Sequence, residues 1–529
     1  MFLLIRRPLF AALLLMPGTC SPCPARAVPL APAPLADPAA LLSQRIRALI
    51  EAPRFAAATW GVKVVSLDSG LVLFEHNAGK YFVPASNTKL FTAAMALQEL
   101  GPQLRIRTSL YGSAKPGADG ALAGDLILYG RGDPTLMRPW NGGPYRPDPL
   151  EALAQQLQDQ GVRTIKGDLV GDDSYFSAPP FGPGWEWEDL RFAYGAEPTA
   201  LTLHHNVVDV WVYPAPIPGR PCFLFDQPGH GLAEFSNGTL TCAPGAEQPI
   251  RADRAPYETA IRVTGSLALG ADPVRLTVTV RDSALWAARL LEQALARHGI
   301  QVLGRIKSMH FQDRTSPLDP DRLTELGHLE SPPLLEILRQ LTKDSNNLYA
   351  QLLLLQAGAR RPGPDGTTSR GLQAMAAWMA RAGLAPGGAV LEEGSGLSRK
   401  NLLKPDAIIQ LLVAMDRQPE AAAFRSLLPI AGVDGTLRMR LAGTAAQGNL
   451  RAKTGTLRNT HALSGYVTGA GGERLAFAIL RNNYHPEPGS TNPPQADLDA
   501  IAELLAQFSS GYRTAVEPHS VPANSSPSM

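Results

Sequence analysis

Ser86-Asn87-Thr88-Lys89 sets a hydroxyl and an amine three residues apart at the start of an apolar run. On a helix the two side chains share one face. A serine hydroxyl is a poor nucleophile at neutral pH and needs a base beside it. Lysine can be that base when burial, which disfavours its charged form, lowers its pKa. The amino end of a helix adds backbone N–H groups suited to a developing oxyanion. Alone, S-x-x-K is weak, because a capping serine and a solvated lysine give the same pattern. Two further motifs follow it. Lys343-Asp344-Ser345-Asn346-Asn347 gives S-x-N before a helical run, and Lys453-Thr454-Gly455-Thr456 gives K-T-G on a strand-like segment. Singly, these read as a Ser/Asn cap and a strand edge with a small residue for close approach.

In this order the three motifs form the set of serine β-lactamases and penicillin-binding proteins. The chain resembles one branch of these, the low-molecular-mass class C penicillin-binding D-Ala-D-Ala carboxypeptidase/endopeptidases. The resemblance covers about 40–510 and includes Gly130–Leu136, Gly167–Val170 and Trp185–Tyr194 leading into Ala200-Leu201. Gly394–Ser398, Leu428–Gly432 and Asp434–Leu437 continue it in order. One departure is that Glu393 stands where the family usually has Asp before Gly-Ser-Gly-Leu.

The resemblance implies an α+β fold: a β-lactamase/transpeptidase-like catalytic domain, its antiparallel sheet flanked by helices, with a large β-rich two-domain insertion. It implies that Ser86 attacks the carbonyl between two D-alanines and forms an acyl-enzyme. Lys89 would take the serine proton, Ser345 would relay a proton to the leaving amine, and Asn347 would hold the substrate amide. Lys453, with Thr454 or Thr456 of the Lys453-Thr454-Gly455-Thr456 segment, would bind the terminal carboxylate. The oxyanion would lie between the N–H groups of Ser86 and Thr456. Trp187, Asp189 and Tyr194 would meet the distal amine of a peptidoglycan stem peptide, since a carboxylate beside aromatic faces suits an ammonium. The alternative for these three is two core aromatics and a turn aspartate. Stem peptides and cross-links would be the substrates and β-lactam antibiotics covalent inhibitors, with no cofactor or metal. Peripheral contact with a membrane is compatible with this reading. Two rivals share the motifs: a β-lactamase and a non-catalytic peptidoglycan or penicillin sensor. Against the first, 348–452 holds no E-x-x-x-N pattern, and the stretch between Ser86 and Ser345 is too long for a compact lactamase.

The elements that must position these residues are legible in the periodicity. Ala39–Glu51 reads as a helix, Thr59–Leu67 and Leu71–His76 as a hairpin around Asp68-Ser69-Gly70, and Ser86–Leu100 as a helix buried on nearly all sides. Alternating runs such as Leu126–Tyr129, Val207–Tyr213 and Arg275–Val280 make 109–314 β-rich. A helix from Ser283 to His298-Gly299 and a strand Ile300–Ile306 close that block. Ser331-Pro332-Pro333 predicts a capped helix start, with helical texture from Leu334 to Met415. Arg451–Leu457, Ala462–Val467 and Leu475–Arg481 read as strands and Ala496–Phe508 as a last helix. The expected division is a catalytic domain from 39–108 and 315–512, and an insertion of two subdomains at 109–314.

At about 150 residues per domain, 529 residues suit two to four domains. With 49 Lys+Arg against 47 Asp+Glu, the chain lacks the basic surplus of a nucleic-acid binder. Arg6 and Arg7, the apolar Leu9–Met16 and Ala25-Arg26-Ala27 read as a signal peptide (1–27), followed by a flexible leader at 28–38. A lipoprotein signal ending at Cys20 is the rival. Export predicts a periplasmic or extracytoplasmic protein, in which Cys222 and Cys242 could pair. Residues 513–529 read as a disordered Ser/Pro tail.

Overall fold

The computed structural model describes residues 37–510, except 138–147, 229–230, 256–257, 364–365, 487–488 and 490–491. The signal peptide, nearly all of the leader and the tail lie outside the described residues. A five-stranded antiparallel sheet runs in the order Arg451–Leu457, Thr460–Thr468, Arg474–Asn482, Thr59–Ser66, Val72–His76. Side chains alternate across a strand, and here both faces are covered. Ala476, Ala478 and Leu480 enter one hydrophobic cluster; Leu475, Phe477 and Ile479 enter the other. The second cluster is closed by the helices Pro38–Ile50 and Ala496–Gln507.

The first cluster is built around the helix Thr88–Glu99, whose residues from Thr88 to Leu97 are all buried. Leu334–Lys343, Asn347–Ala359, Thr367–Arg381 and Pro405–Asp416 pack around it. Ser86 lies in a 3-10 turn, Ala85–Asn87, that feeds this helix. The buried helix therefore aims its amino end at the edge strand that carries Lys453.

Between these parts, Ile306–Met309, Leu169–Asp172, Leu126–Tyr129, Arg107–Gly112 and Thr324–Glu330 form a mixed sheet. Helices Pro149–Asp159 and Ser283–Arg297 pack with it. Two three-stranded sheets follow: Val274–Thr279, Val207–Tyr213, Phe223–Gln227, and Phe235–Cys242, Ile261–Ala268, Gln248–Asp253. A single hydrophobic cluster runs through all of this material, from Leu110 to Leu326.

Four local expectations change. Thr324–Glu330, assigned to the catalytic part, instead pairs with Arg107–Gly112 as the edge of the mixed sheet. The expected strand Ile300–Ile306 is two short strands, Gln301–Val302 and Ile306–Met309, in different sheets. At Gly304 between them, a β-carbon would lie 2.2 Å from the Gly167 carbonyl. Ser331 does not cap the following helix. Its hydroxyl accepts from the Ile106 N–H at 2.9 Å and donates to the Pro332 carbonyl. Cys222 and Cys242 are unbridged; Cys222 is buried with its Sγ 3.7 Å from the Thr241 hydroxyl.

Candidate active site

Lys89 sits one helical turn beyond Ser86 and is fully buried. Its Nζ has three partners: Ser86 Oγ at 2.8 Å, Asn347 Oδ1 at 2.6 Å and the Ser395 carbonyl at 2.5 Å. The amide and the carbonyl oxygen can only accept. The Asn347 orientation is fixed from its other side, where Nδ2 donates to the Tyr194 carbonyl at 2.9 Å. Burial lowers the Lys89 pKa to about 7, opposed in part by the negative charge of Glu393. A neutral amine has two N–H donors and one lone pair. With two partners that only accept, the lone pair is left facing Ser86.

Lys453 is buried too, and donates to Ser345 Oγ at 2.8 Å and to the Thr454 carbonyl at 2.9 Å. Burial, reinforced by repulsion from Lys89 and Arg440, holds its pKa well below the ordinary lysine value. Thr454 donates to Thr436 Oγ1 at 2.8 Å. Gly455 is required for contact: a β-carbon there would stand 2.8 Å from the Pro84 carbonyl, in the turn leading to Ser86. Ser345 has a φ of +57°, a left-handed conformation rare for a side-chain-bearing residue. Asp434 braces that segment by pairing with Lys343 at 2.6 Å.

Ser86, Ser345, Asn347, Thr456, Asp189 and Tyr194 line one cavity of about 520 Å³. Lys89 and Lys453 lie beneath it, bonded to residues of the lining. Asp189 accepts from the Glu186 N–H at 3.2 Å, and burial raises its pKa. Burial and the Asp189 carboxylate push Tyr194 up to about 12. Arg399, in the same lining, pairs with Glu186 at 2.9 Å. Trp187 is not brought to the cavity. It is 64% exposed and lines a separate hollow with Arg191 and Arg254. In the short turn Trp187–Arg191, positions two apart point to different sides, so Asp189 and Trp187 diverge.

The sequence reading missed how Glu393 works. This buried carboxylate accepts from the N–H groups of Ser395 and Gly396 at 2.7 and 2.6 Å, and from Asn401 Nδ2 at 2.6 Å. It thereby fixes the Ser395 carbonyl that Lys89 touches. Its position before Gly-Ser-Gly was the available signal. Arg399, Arg458 and Glu186 also went unnoticed, having no motif.

The fold is that of the β-lactamase/transpeptidase-like serine enzymes, with mixed helices and sheets around a serine–lysine pair. The family model of the D-Ala-D-Ala carboxypeptidase 3 (S13) family matches residues 42–507, and the chain belongs to this family of serine peptidases. It is 38% identical over 478 residues to the D-alanyl-D-alanine carboxypeptidase of Actinomadura sp. (strain R39), covering 88% of this chain and 85% of that protein. Identity to D-alanyl-D-alanine carboxypeptidase DacB of Haemophilus influenzae is 28% over 427 residues, covering 79% and 84%. The crystal structure of penicillin binding protein 4 (dacB) from Haemophilus influenzae matches with a TM-score of 0.74 at 27% identity, over 87% of this chain and 97% of that one. Among the described residues no helix is long and apolar enough to cross a membrane.

Proposed function

We propose that Ser86 is the nucleophile and Lys89 its general base in a D-Ala-D-Ala carboxypeptidase that also opens peptide cross-links. The observation that carries this is the partner set of Lys89, which leaves a neutral amine only Ser86 from which to take a proton. Ser86 Oγ attacks the carbonyl between the two D-alanines, and its proton passes to Lys89 Nζ. The tetrahedral oxyanion lies between the Ser86 and Thr456 N–H groups, which the missing β-carbon of Gly455 allows to approach. Such donors are worth about 10²–10³ in rate. Ser345, bonded to Lys453, relays a proton to the leaving amine, and water then hydrolyses the acyl-enzyme.

Lys453, Thr454 and Thr456 hold the terminal carboxylate. Among the described residues no carboxylate is in salt-bridge contact with Lys453; an incoming substrate carboxylate supplies a counter-charge and favours its protonated form. Asn347 orients the substrate amide. Asp189 and Tyr194, on the cavity wall, receive the amine at the far end of the stem peptide. We further propose that residues 1–27 direct export, so that the enzyme meets peptidoglycan outside the cytoplasm. β-Lactams, whose carbonyl and carboxylate mimic the substrate's, acylate the same serine.

Ser86→Ala is expected to abolish labelling by a fluorescent penicillin, and surviving label would overturn the assignment. Incubating the wild type with defined monomeric and cross-linked muropeptides, with mass spectrometry, separates carboxypeptidase from endopeptidase action. Asp189→Asn should raise KM for diaminopimelate-containing peptides more than for a plain diacyl-D-Ala-D-Ala. Equal effects on both would remove Asp189 from substrate recognition.

A further inference from the structure

The sheet Val274–Thr279, Val207–Tyr213, Phe223–Gln227 turns one face to its hydrophobic cluster through Val208, Val210 and Val212. The other face carries a two-by-two block of aromatic rings. Trp211 stands opposite Phe225 and Tyr213 opposite Phe223 in the antiparallel register. Tyr213, Phe223 and Phe225 are 39%, 52% and 54% exposed. The Trp211 and Tyr213 rings are 6.4 Å apart and inclined by 31°, and Tyr213 meets Phe225 edge to face at 5.5 Å. Beside it, Arg275 pairs with Asp209 at 3.0 Å, and Thr277 donates to the same carboxylate at 2.6 Å. An exposed apolar patch edged by polar groups marks a binding surface.

The face ends beneath the turn that walls the cleft. Thr279, at the far end of this same face, donates to the Leu190 carbonyl at 2.6 Å. Leu190 belongs to the turn that contributes Asp189 to the cavity wall. From Thr279 to Arg275, opposite Trp211, the strand advances about 13 Å at its usual rise per residue. The aromatic face and the Asp189 wall therefore share this turn as their common border.

We propose that this aromatic face binds the glycan strand of peptidoglycan, a β-linked amino-sugar polymer. The inference rests on the reading of the cleft as a stem-peptide site, because every stem peptide is attached to such a strand. Pyranose rings present flat C–H faces that stack on exposed indole and phenol rings, while their hydroxyl and acetamido groups hydrogen-bond to charged neighbours such as Arg275 and Asp209. The ring spacing is comparable with the length of one sugar residue. The surface orients the strand and leaves the chemistry to the cleft.

The test uses full-length protein and soluble, peptide-free glycan strands released from sacculi by an amidase, with binding measured by calorimetry. The wild type is expected to bind them. The double variant Trp211→Ala/Phe225→Ala should lose about ten-fold or more in affinity, and cleave intact sacculi more slowly. Its hydrolysis of a soluble D-Ala-D-Ala peptide and its penicillin labelling should match the wild type, which also reports correct folding. Trp211→Tyr should retain most of the binding. A wild type that ignores the strands, or a double variant that binds them equally, overturns the proposal. So does a double variant defective only in vesicle binding or self-association. If the wild type fails on the soluble peptide as well, the cleft reading itself has failed, a separate result.

Discussion

Two clusters of charge in this molecule, one fully buried and one half-buried, reach opposite states. Beneath the cavity, Lys89 and Lys453 are enclosed with neutral oxygens as hydrogen-bond partners, and among the described residues neither is in salt-bridge contact with a carboxylate. Burial with no carboxylate in contact weakens both as bases, Glu393 opposing it only in part at Lys89. On the mixed sheet, His310 stands between two carboxylates, Asp173 at 2.9 Å and Asp282 at 3.6 Å. Its hydrogen bonds to them push its pKa up to about 10, against the opposing effect of burial. Nearby, Arg314 pairs with the buried Asp172. The first arrangement yields an amine able to exchange a proton near neutral pH. The second holds a fixed cation that braces strands. Counter-charge and depth of burial together decide which: the two lysines are fully buried, whereas the His310 and Asp282 side chains are 28% and 34% exposed.

The comparison breaks most sharply at Lys89. Lys89→Arg keeps the positive charge but cannot be deprotonated, so acylation by penicillin should fall by roughly 10²–10⁴-fold at every pH, the range for loss of a general base. Stopped-flow labelling measures it, and a rate near the wild type's would dismiss Lys89 as the base. Next comes the pH profile. Wild-type acylation should rise as pH climbs through about 7, where Lys89 loses its proton. Glu393 opposes the effect of burial on Lys89, so Glu393→Gln should move that inflection to lower pH, whereas Glu393→Asp, which keeps the charge, should largely hold it. An unmoved inflection in Glu393→Gln would separate the carboxylate from the base.

The smallest effect is expected at His310. Its folded pKa lies above the ordinary histidine value of about 6.5, so the folded state holds the proton more tightly. The stabilisation is complete below pH 6.5 and is lost as pH rises through about 10. The Tm difference between wild type and His310→Asn should therefore shrink across that window. A constant difference would make the clamp a matter of packing alone.

Much of this was legible in the residues themselves. The edge strand Arg451–Leu457 and the helix beginning at Ser283 fall where alternation and helical periodicity put them. Lys89 was marked as needing burial by the apolar residues all round its helix. What stayed hidden depends on contacts between distant segments. Nothing near Asn347 announces that the Tyr194 carbonyl fixes its amide, 153 residues away. Glu393 could be located but not interpreted, because its partner amides matter only through Lys89. Ser331 had the composition of a cap, and the Ile106 N–H engaged its hydroxyl instead. The resemblance groups Trp187 with Asp189, and the turn sends them apart.

The turn bearing Ser86 is enclosed by two glycines. A β-carbon on Gly455 would approach the Pro84 carbonyl to 2.8 Å, and one on Gly396 would approach the Ala85 carbonyl to 2.0 Å. A methyl group is the smallest step that mutation can take, and at both positions it already collides with backbone. Neither glycine can therefore take a side chain unless the backbone of the turn that carries Ser86 moves. Bulk and charge can change more freely at Arg399 and Arg458, which line the same cavity from more open positions.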